Sequence, residues 1–180
     1  EQYTPYNTIW APYYTLHKIT AGMIDCYQYG GNEEALEVAK GIGTWIYRRL
    51  SGCTDEAQRE QMWAMYIAGE YGGMNESLAR LYEITGEEKF MEAAKMFDHK
   101  SWFADLAANI DVVQNKHANQ HIPRIVGAIH EYAATGDVSY YNTAYNFWNI
   151  VTQRYAYSIG GVGTGEMFKD PYQQGNNILG

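Results

Sequence analysis

No stretch of this 180-residue chain stays apolar for the roughly 20 residues that a membrane helix requires, so no membrane partner is expected. Basic residues are few: 13 Lys and Arg stand against 21 Asp and Glu, a net charge of -8. That balance argues against a nucleic-acid partner, which needs a basic patch to meet phosphates. Cysteine is rare. Cys26 and Cys53 lack the close spacing of a metal motif and read as two idle or buried thiols, which report no redox compartment. Alternation with strand period is missing over any useful length, which argues against a sheet. The chain opens on Glu1 with neither Met nor a signal peptide, so a processed or excised segment is expected and its localisation is not legible.

What is present is a repeat. Three turns built on glycine, Gly30-Gly31-Asn32-Glu33, Thr85-Gly86-Glu87-Glu88 and Thr135-Gly136-Asp137-Val138, recur with their central glycines roughly 50 to 55 residues apart. Each is flanked by apolar residues at helical spacing. Leu16, Ile19, Met23 and Tyr27 precede the first turn, and Ala35, Val38, Ile42, Trp45 and Ile46 follow it. Met74, Leu78, Leu81 and Tyr82 precede the second, with Phe90, Ala93, Ala94 and Phe97 beyond. Ile122, Ile125, Val126, Ile129 and Tyr132 lead into the third, then Tyr140, Tyr141, Ala144, Phe147, Trp148 and Val151. Glycine suits a helix C-terminus because it turns left-handed without a Cβ penalty, and Asn32 or Asp137 can cap the helix that follows. The fold class expected is all-α, a set of helical hairpins. Residues 54–71 can hold an extra helix capped by Thr54, and Phe103 to Ala108 a short one. The longer links emerge on one face, before the first helix of each hairpin, where long loops are usually functional.

Aromatics are abundant, with 17 Tyr, 5 Trp and 5 Phe. They can fill the wedges between helices, or a cluster such as Tyr3, Tyr6, Trp10, Tyr13 and Tyr14 can stack on sugar rings. The run Gly160-Gly161-Val162-Gly163-Thr164-Gly165-Glu166 lacks the strand and the Lys-Ser/Thr of a phosphate loop. It reads either as a linker or as a mobile loop presenting one carboxyl, Glu166, for acid/base work, which requires partial burial. His117 and His121 stand four apart, a spacing that lets both face one metal, yet no third ligand is near. A polar cluster that hydrogen-bonds a sugar, or capping by Asn119, competes with that reading. His17, Asn75-Glu76 and His117 all fall near helix starts and would meet at one mouth, whereas His99 and His130 read as structural.

Four segments occur in order: Trp10-Ala11-Pro12-Tyr13-Tyr14-Thr15-Leu16-His17-Lys18, Glu70-Tyr71-Gly72-Gly73-Met74-Asn75-Glu76, His117-Ala118-Asn119-Gln120-His121-Ile122-Pro123 and Gly165-Glu166-Met167-Phe168. Together they resemble the β-L-arabinofuranosidase family of glycoside hydrolases, over nearly the whole chain. The resemblance implies an (α/α)6 barrel, of which three hairpins form part, and a single, incomplete catalytic domain over residues 1–180. It implies retaining hydrolysis of terminal arabinofuranosyl groups in plant-derived glycans. Glu166 matches the acid/base position, and His17, Asn75, Glu76, His117 and Gln120 match the sugar-pocket positions. The family's nucleophile is a zinc-held cysteine from motifs downstream of the acid/base loop. Neither Cys26 nor Cys53 matches them, so no metal or cofactor is assigned to this chain, zinc is implied for the full-length domain only, and the piece alone is expected to be inactive.

Other readings stay open at this level. The same toroid carries sugar epimerases, for which His17 and His121 would converge on one substrate carbon, and unsaturated uronide hydrolases. A non-enzymatic carbohydrate-binding repeat module is the third. An uncapped array also exposes its end hairpins, so a homodimer is expected if the piece is stable alone.

Overall fold

The computed structural model describes residues 11–64 and 70–179. Of the expected aromatic cluster, Tyr3, Tyr6 and Trp10 lie outside the described residues. All three hairpins form. They are α1 (Pro12–Gly30) with α2 (Glu33–Ser51), α4 (Met74–Thr85) with α5 (Glu88–Lys95), and α7 (Ala118–Thr135) with α8 (Val138–Arg154). Three shorter helices, α3 (Glu56–Ala64), α6 (Lys100–Ala107) and α9 (Gln174–Leu179), occupy the links and the C-terminal segment. No strand forms among the described residues, only isolated bridges, and no helix there is long and apolar enough to cross a membrane.

The turn chemistry repeats at the level of atoms. Gly31, Gly86 and Gly136 all have φ near +70° (67°, 68° and 74°) and send their N–H groups back to Tyr27, Tyr82 and Tyr132 carbonyls. In the second and third turns the threonine hydroxyl links both helices. Thr85 Oγ1 donates to the Leu81 carbonyl and accepts from the Glu87 N–H, and Thr135 repeats this with Glu131 and Asp137. Asn32 and Asp137 cap α2 and α8 through Ala35 N–H at 3.1 Å and Ser139 N–H at 2.9 Å. The cap before α3 falls on Asp55, which accepts from Gln58 N–H at 3.3 Å, one residue beyond the expected Thr54. Helix α6 starts three residues earlier than Phe103, at Lys100.

Helices α1, α4 and α7 lie side by side as one layer, and α2 packs on α1 and α5, α5 on α4, α8 on α7. This layered hairpin array is the arrangement of an (α/α)6 barrel. The core of the first two hairpins closes on an aromatic knot in which Tyr13, Trp63, Tyr71 and Phe97 meet at centroid distances of 5.0 to 5.9 Å, mostly edge to face. Each such fully buried ring contributes on the order of 2 kcal/mol of transfer free energy. Tyr13 is therefore a wedge filler, while Tyr14 stays half-buried under Lys18.

Helix α7 buries a polar stripe beside an apolar one, in which Ile125 and Ala128 join the core shared with α8. On α7 the apolar positions Ile122, Val126 and Ile129 stay exposed, Val126 by 50%, while Gln120, His121, Arg124, Gly127 and Glu131 are buried. The reason is the neighbour: α7 turns this polar stripe to α4, whose Asn75 side chain is itself fully buried. Asn75 Nδ2 sits 3.2 Å from both the Arg124 carbonyl and Glu131 Oε2. Gly127 admits that amide, since a Cβ there would stand 2.0 Å from Asn75 Cγ.

Candidate active site

The N-terminal ends of α1, α4 and α7 converge. Gly72 and Gly73, with φ of +60° and +91°, turn the chain into α4 between Tyr14 and His17 of α1 and Pro123 of α7. A Cβ on Gly73 would lie 3.3 Å from His17 Cε1 and 3.2 Å from Pro123, so side chains from all three helices meet at this seam.

On the α1–α4 side, His17 Nε2 stands 3.0 Å from Glu76 Oε2. Ser77 Oγ donates to the same oxygen, and Arg80 reaches Glu76 Oε1 at 3.1 Å while pairing with Asp25 at 2.6 Å. Burial alone would push the Glu76 carboxyl up. The His17, Arg80 and Ser77 contacts outweigh it and hold Glu76 down at about 2. A permanent carboxylate accepts the His17 Nε2–H, fixing the ring's tautomer.

The acid side is built by the segment after α8. Phe168, fully buried against Phe147 and Tyr155, anchors it. The backbone then pairs with the approach to α7: Asn115 N–H to Phe168 O, Phe168 N–H to Lys116 O and Ala118 N–H to Glu166 O, at 2.8 to 2.9 Å. Thr164 and Met167 close a two-residue turn whose central residues, Gly165 and Glu166, both have positive φ, 55° and 66°. Glycine takes that conformation freely, but a glutamate held there is strained, and such strain collects at functional positions. The turn delivers the Glu166 carboxyl to His117, with Oε2 3.2 Å from Nε2. His117 is buried and Glu166 is 77% exposed at its side chain. The expected partial burial of this acid is thus not supplied by the described residues.

Behind His117 lies a cleft of about 220 Å³ that holds Trp63, His99, Lys116, Gln120, His121 and Arg124 in its walls. Arg124 is fully buried, its guanidinium 4.6 Å above the Tyr71 ring and 3.2 Å from His99 Nδ1. Burial and the neighbouring Arg124 charge push the His121 imidazole down to about 3, so it is neutral, and its Nδ1 donates to the His117 carbonyl at 2.8 Å.

The expected residues therefore fall into two contacting pairs, His17 with Glu76 and His117 with Glu166, and Gln120 joins the second. Asn75, expected at the mouth, is instead buried in the α4–α7 contact. Sequence reasoning missed Arg80, Arg124 and His99 as neighbours of the site, whereas His121 was weighed there with His117. A signal existed for Arg124: His117, Gln120, His121, Arg124 and Glu131 recur at helical spacing, a polar stripe on one face of α7. Among the described residues no three of His, Cys, Asp and Glu converge in a way that could hold a metal ion. Cys53 is buried and contacts Asp55 O and Gln58, and exposed Cys26 lies near the far end of α1 from the mouth.

Residues 2–179 match the family model described as β-L-arabinofuranosidase, GH127 catalytic domain. The chain is also similar to a non-reducing end β-L-arabinofuranosidase of Bifidobacterium longum subsp. longum, 27% identical over 187 aligned positions. That alignment covers 85% of this chain and 27% of the relative, so the chain spans about a quarter of the relative's length. An all-α hairpin array carrying these pairs at one mouth belongs to the GH127 β-L-arabinofuranosidase catalytic-domain family of glycoside hydrolases.

Proposed function

We propose that this chain supplies the acid/base half of a retaining β-L-arabinofuranosidase that removes terminal arabinofuranosyl groups from plant-derived glycans, within a single, incomplete (α/α)6 catalytic domain. The observation that carries the reading is Glu166, held at positive φ by a stitched turn and set 3.2 Å from His117. In its acid form Glu166 protonates the departing glycosidic oxygen. As carboxylate it then takes a proton from the water that releases the sugar. His117 fixes the carboxyl's direction, and His17, held between Glu76 and Lys18, forms part of the sugar pocket's wall. Gln120 supports the same pocket, and Asn75 acts on it by holding α4 to α7.

Among the described residues no three of His, Cys, Asp and Glu converge to hold the zinc that the family implies. On this reading the chain alone is inactive. Assayed on an aryl β-L-arabinofuranoside with added zinc, it should give no turnover. Clear turnover that disappears in Glu166→Gln would refute the inactivity and support Glu166.

A further inference from the structure

We infer that the groove between α8 and the end of α6 binds a neutral glycan chain, at a site separate from the mouth. None of the mouth's residues lines it: its polar walls are Asn109, Tyr145, Asn146, Asn149, Gln153 and Arg154, around a space of about 290 Å³. Apart from Tyr145 and Arg154, all of these are amides. In a chain of net charge -8 no carboxylate lines the groove, and its one cation, Arg154, is paired with Asp111 at 2.9 Å.

Tyr141, Tyr145, Asn149 and Gln153 stand four apart and form one ridge along α8. Tyr145 stacks on Tyr141 with centroids 5.8 Å apart and planes 14° from parallel, and Tyr141 leans on Tyr132 of α7 at 5.3 Å. One face of the Tyr145 ring is thus occupied, and the ring, 54% exposed, carries its other side along the groove. A ring held in this way offers an apolar surface to sugar C–H groups and loses little freedom on binding. The amides are held too. Asn146 Nδ2 donates to the Leu106 and Ala107 carbonyls at 2.9 and 3.1 Å, which spends both its N–H groups and leaves Oδ1 as an acceptor. Asn149 Nδ2 donates to the Tyr145 carbonyl at 3.0 Å. Asn109, with φ of 60°, follows α6 in the left-handed region that asparagine tolerates and brings its amide to the groove from the neighbouring helix. A sugar hydroxyl both donates and accepts, and an amide side chain meets it in either sense. Amides beside an aromatic face are therefore the chemistry of a neutral sugar. An anionic polymer would find only Arg154, whose charge already serves Asp111. The volume lies just under the range of drug-sized pockets and suits one ring of a chain that crosses the groove.

The test is retardation of the full-length protein in native gels cast with neutral arabinan or, in parallel, with polygalacturonate. Only the choice of arabinan as probe rests on the hydrolase reading above. Arabinan should retard the parent and polygalacturonate should not. Affinity for arabinan should fall about tenfold in Tyr145→Ala, roughly half the worth of burying one aromatic ring, and about threefold to tenfold in Asn149→Ala. Tyr145→Phe should keep it. In all three variants kcat/KM on a small aryl β-L-arabinofuranoside should match the parent, since the groove lies outside the mouth. No retardation by arabinan, equal retardation of Tyr145→Ala, stronger retardation by polygalacturonate, or turnover that falls in step with retardation would each overturn the site. A protein retarded through Tyr145 but without arabinofuranosidase turnover refutes the hydrolase reading and leaves the groove standing. Turnover without Tyr145-dependent retardation does the reverse.

Discussion

Replacing Gly127 by alanine sets two effects of opposite sign against each other. Inside a helix, Gly→Ala normally stabilises by about 0.5 to 1 kcal/mol. At Gly127 the new methyl would stand 2.0 Å from Asn75 Cγ and Nδ2, far inside contact distance. Asn75 cannot yield cheaply, because its side chain is fully buried and its Nδ2 serves both the Arg124 carbonyl and Glu131 Oε2. Displacing it forfeits two hydrogen bonds worth about 1 kcal/mol each and adds overpacking of about 1 to 3 kcal/mol. The clash wins, with a net loss of about 2 to 4 kcal/mol. Gly22 and Gly41 are internal controls, since a Cβ on either meets nothing within 4 Å. Gly22→Ala and Gly41→Ala should gain about 0.5 to 1 kcal/mol. Urea denaturation followed by circular dichroism measures all three, and a cycle with Asn75→Ala should return a coupling of about 1 to 3 kcal/mol between positions 75 and 127. A Gly127→Ala protein as stable as the parent, or no coupling to Asn75, would refute the α4–α7 wedge.

Three further outcomes follow from the same geometry. Tyr140 donates to Asp98 Oδ2 at 2.6 Å and Asn75 serves Glu131 Oε2, which leaves Asp98 Oδ1 and Glu131 Oε1 as the orphaned oxygens of a buried carboxyl pair that one shared proton would satisfy. Burial, followed by the nearby Asp98 charge, holds Glu131 well above its usual range, and burial pushes Asp98 to about 7. The folded state thus keeps a proton that the unfolded chain releases above about pH 4, so stability is full below that point and falls as pH rises towards 7. Glu131→Gln should gain on the parent across that window by up to about 1.4 kcal/mol per pH unit, read as the difference between two urea profiles; parallel profiles would contradict it. The Glu76 cluster has the opposite sign: its depressed carboxyl contributes stability that is present above about pH 4 and lost as pH falls towards 2, and Glu76→Gln should remove that part of the acid transition. The chain alone should dimerise through the exposed apolar side of α7 and α8, where Ile122, Val126, Ile129 and the 68%-exposed Trp148 face solvent; light scattering that finds only monomer with these residues intact would count against it.

The turns were legible because their chemistry is local. A helix that must end left-handed writes glycine, and Gly31, Gly86 and Gly136 are there for that reason. The face of α7 was not legible from hydropathy. Ile122, Val126 and Ile129 stay exposed although they share helical spacing with buried Ile125, and the stripe turned to α4 is polar because Asn75 and Glu131 meet across that contact. Pairing of residues 115–118 with 164–168 was out of reach for another reason: about 50 residues separate the segments, and isolated bridges leave no period in either. That pairing is what turns Glu166 from one acid in a glycine-rich loop into a carboxyl aimed at His117. The Arg124–His99 contact was likewise hidden, since a histidine after α5 gives no sign that it will meet a charge on α7.

The most direct test of Glu166 as the acid/base uses aryl β-L-arabinofuranosides of graded leaving-group strength, with the full-length protein and its Glu166→Gln variant compared by kcat/KM. With a poor leaving group such as 4-methoxyphenol the variant should lose about 10²- to 10⁴-fold, the usual worth of general acid catalysis. With 2,4-dinitrophenol, which departs without protonation, most of that loss should vanish. A loss of the same size for both leaving groups, or no loss for either, contradicts the role.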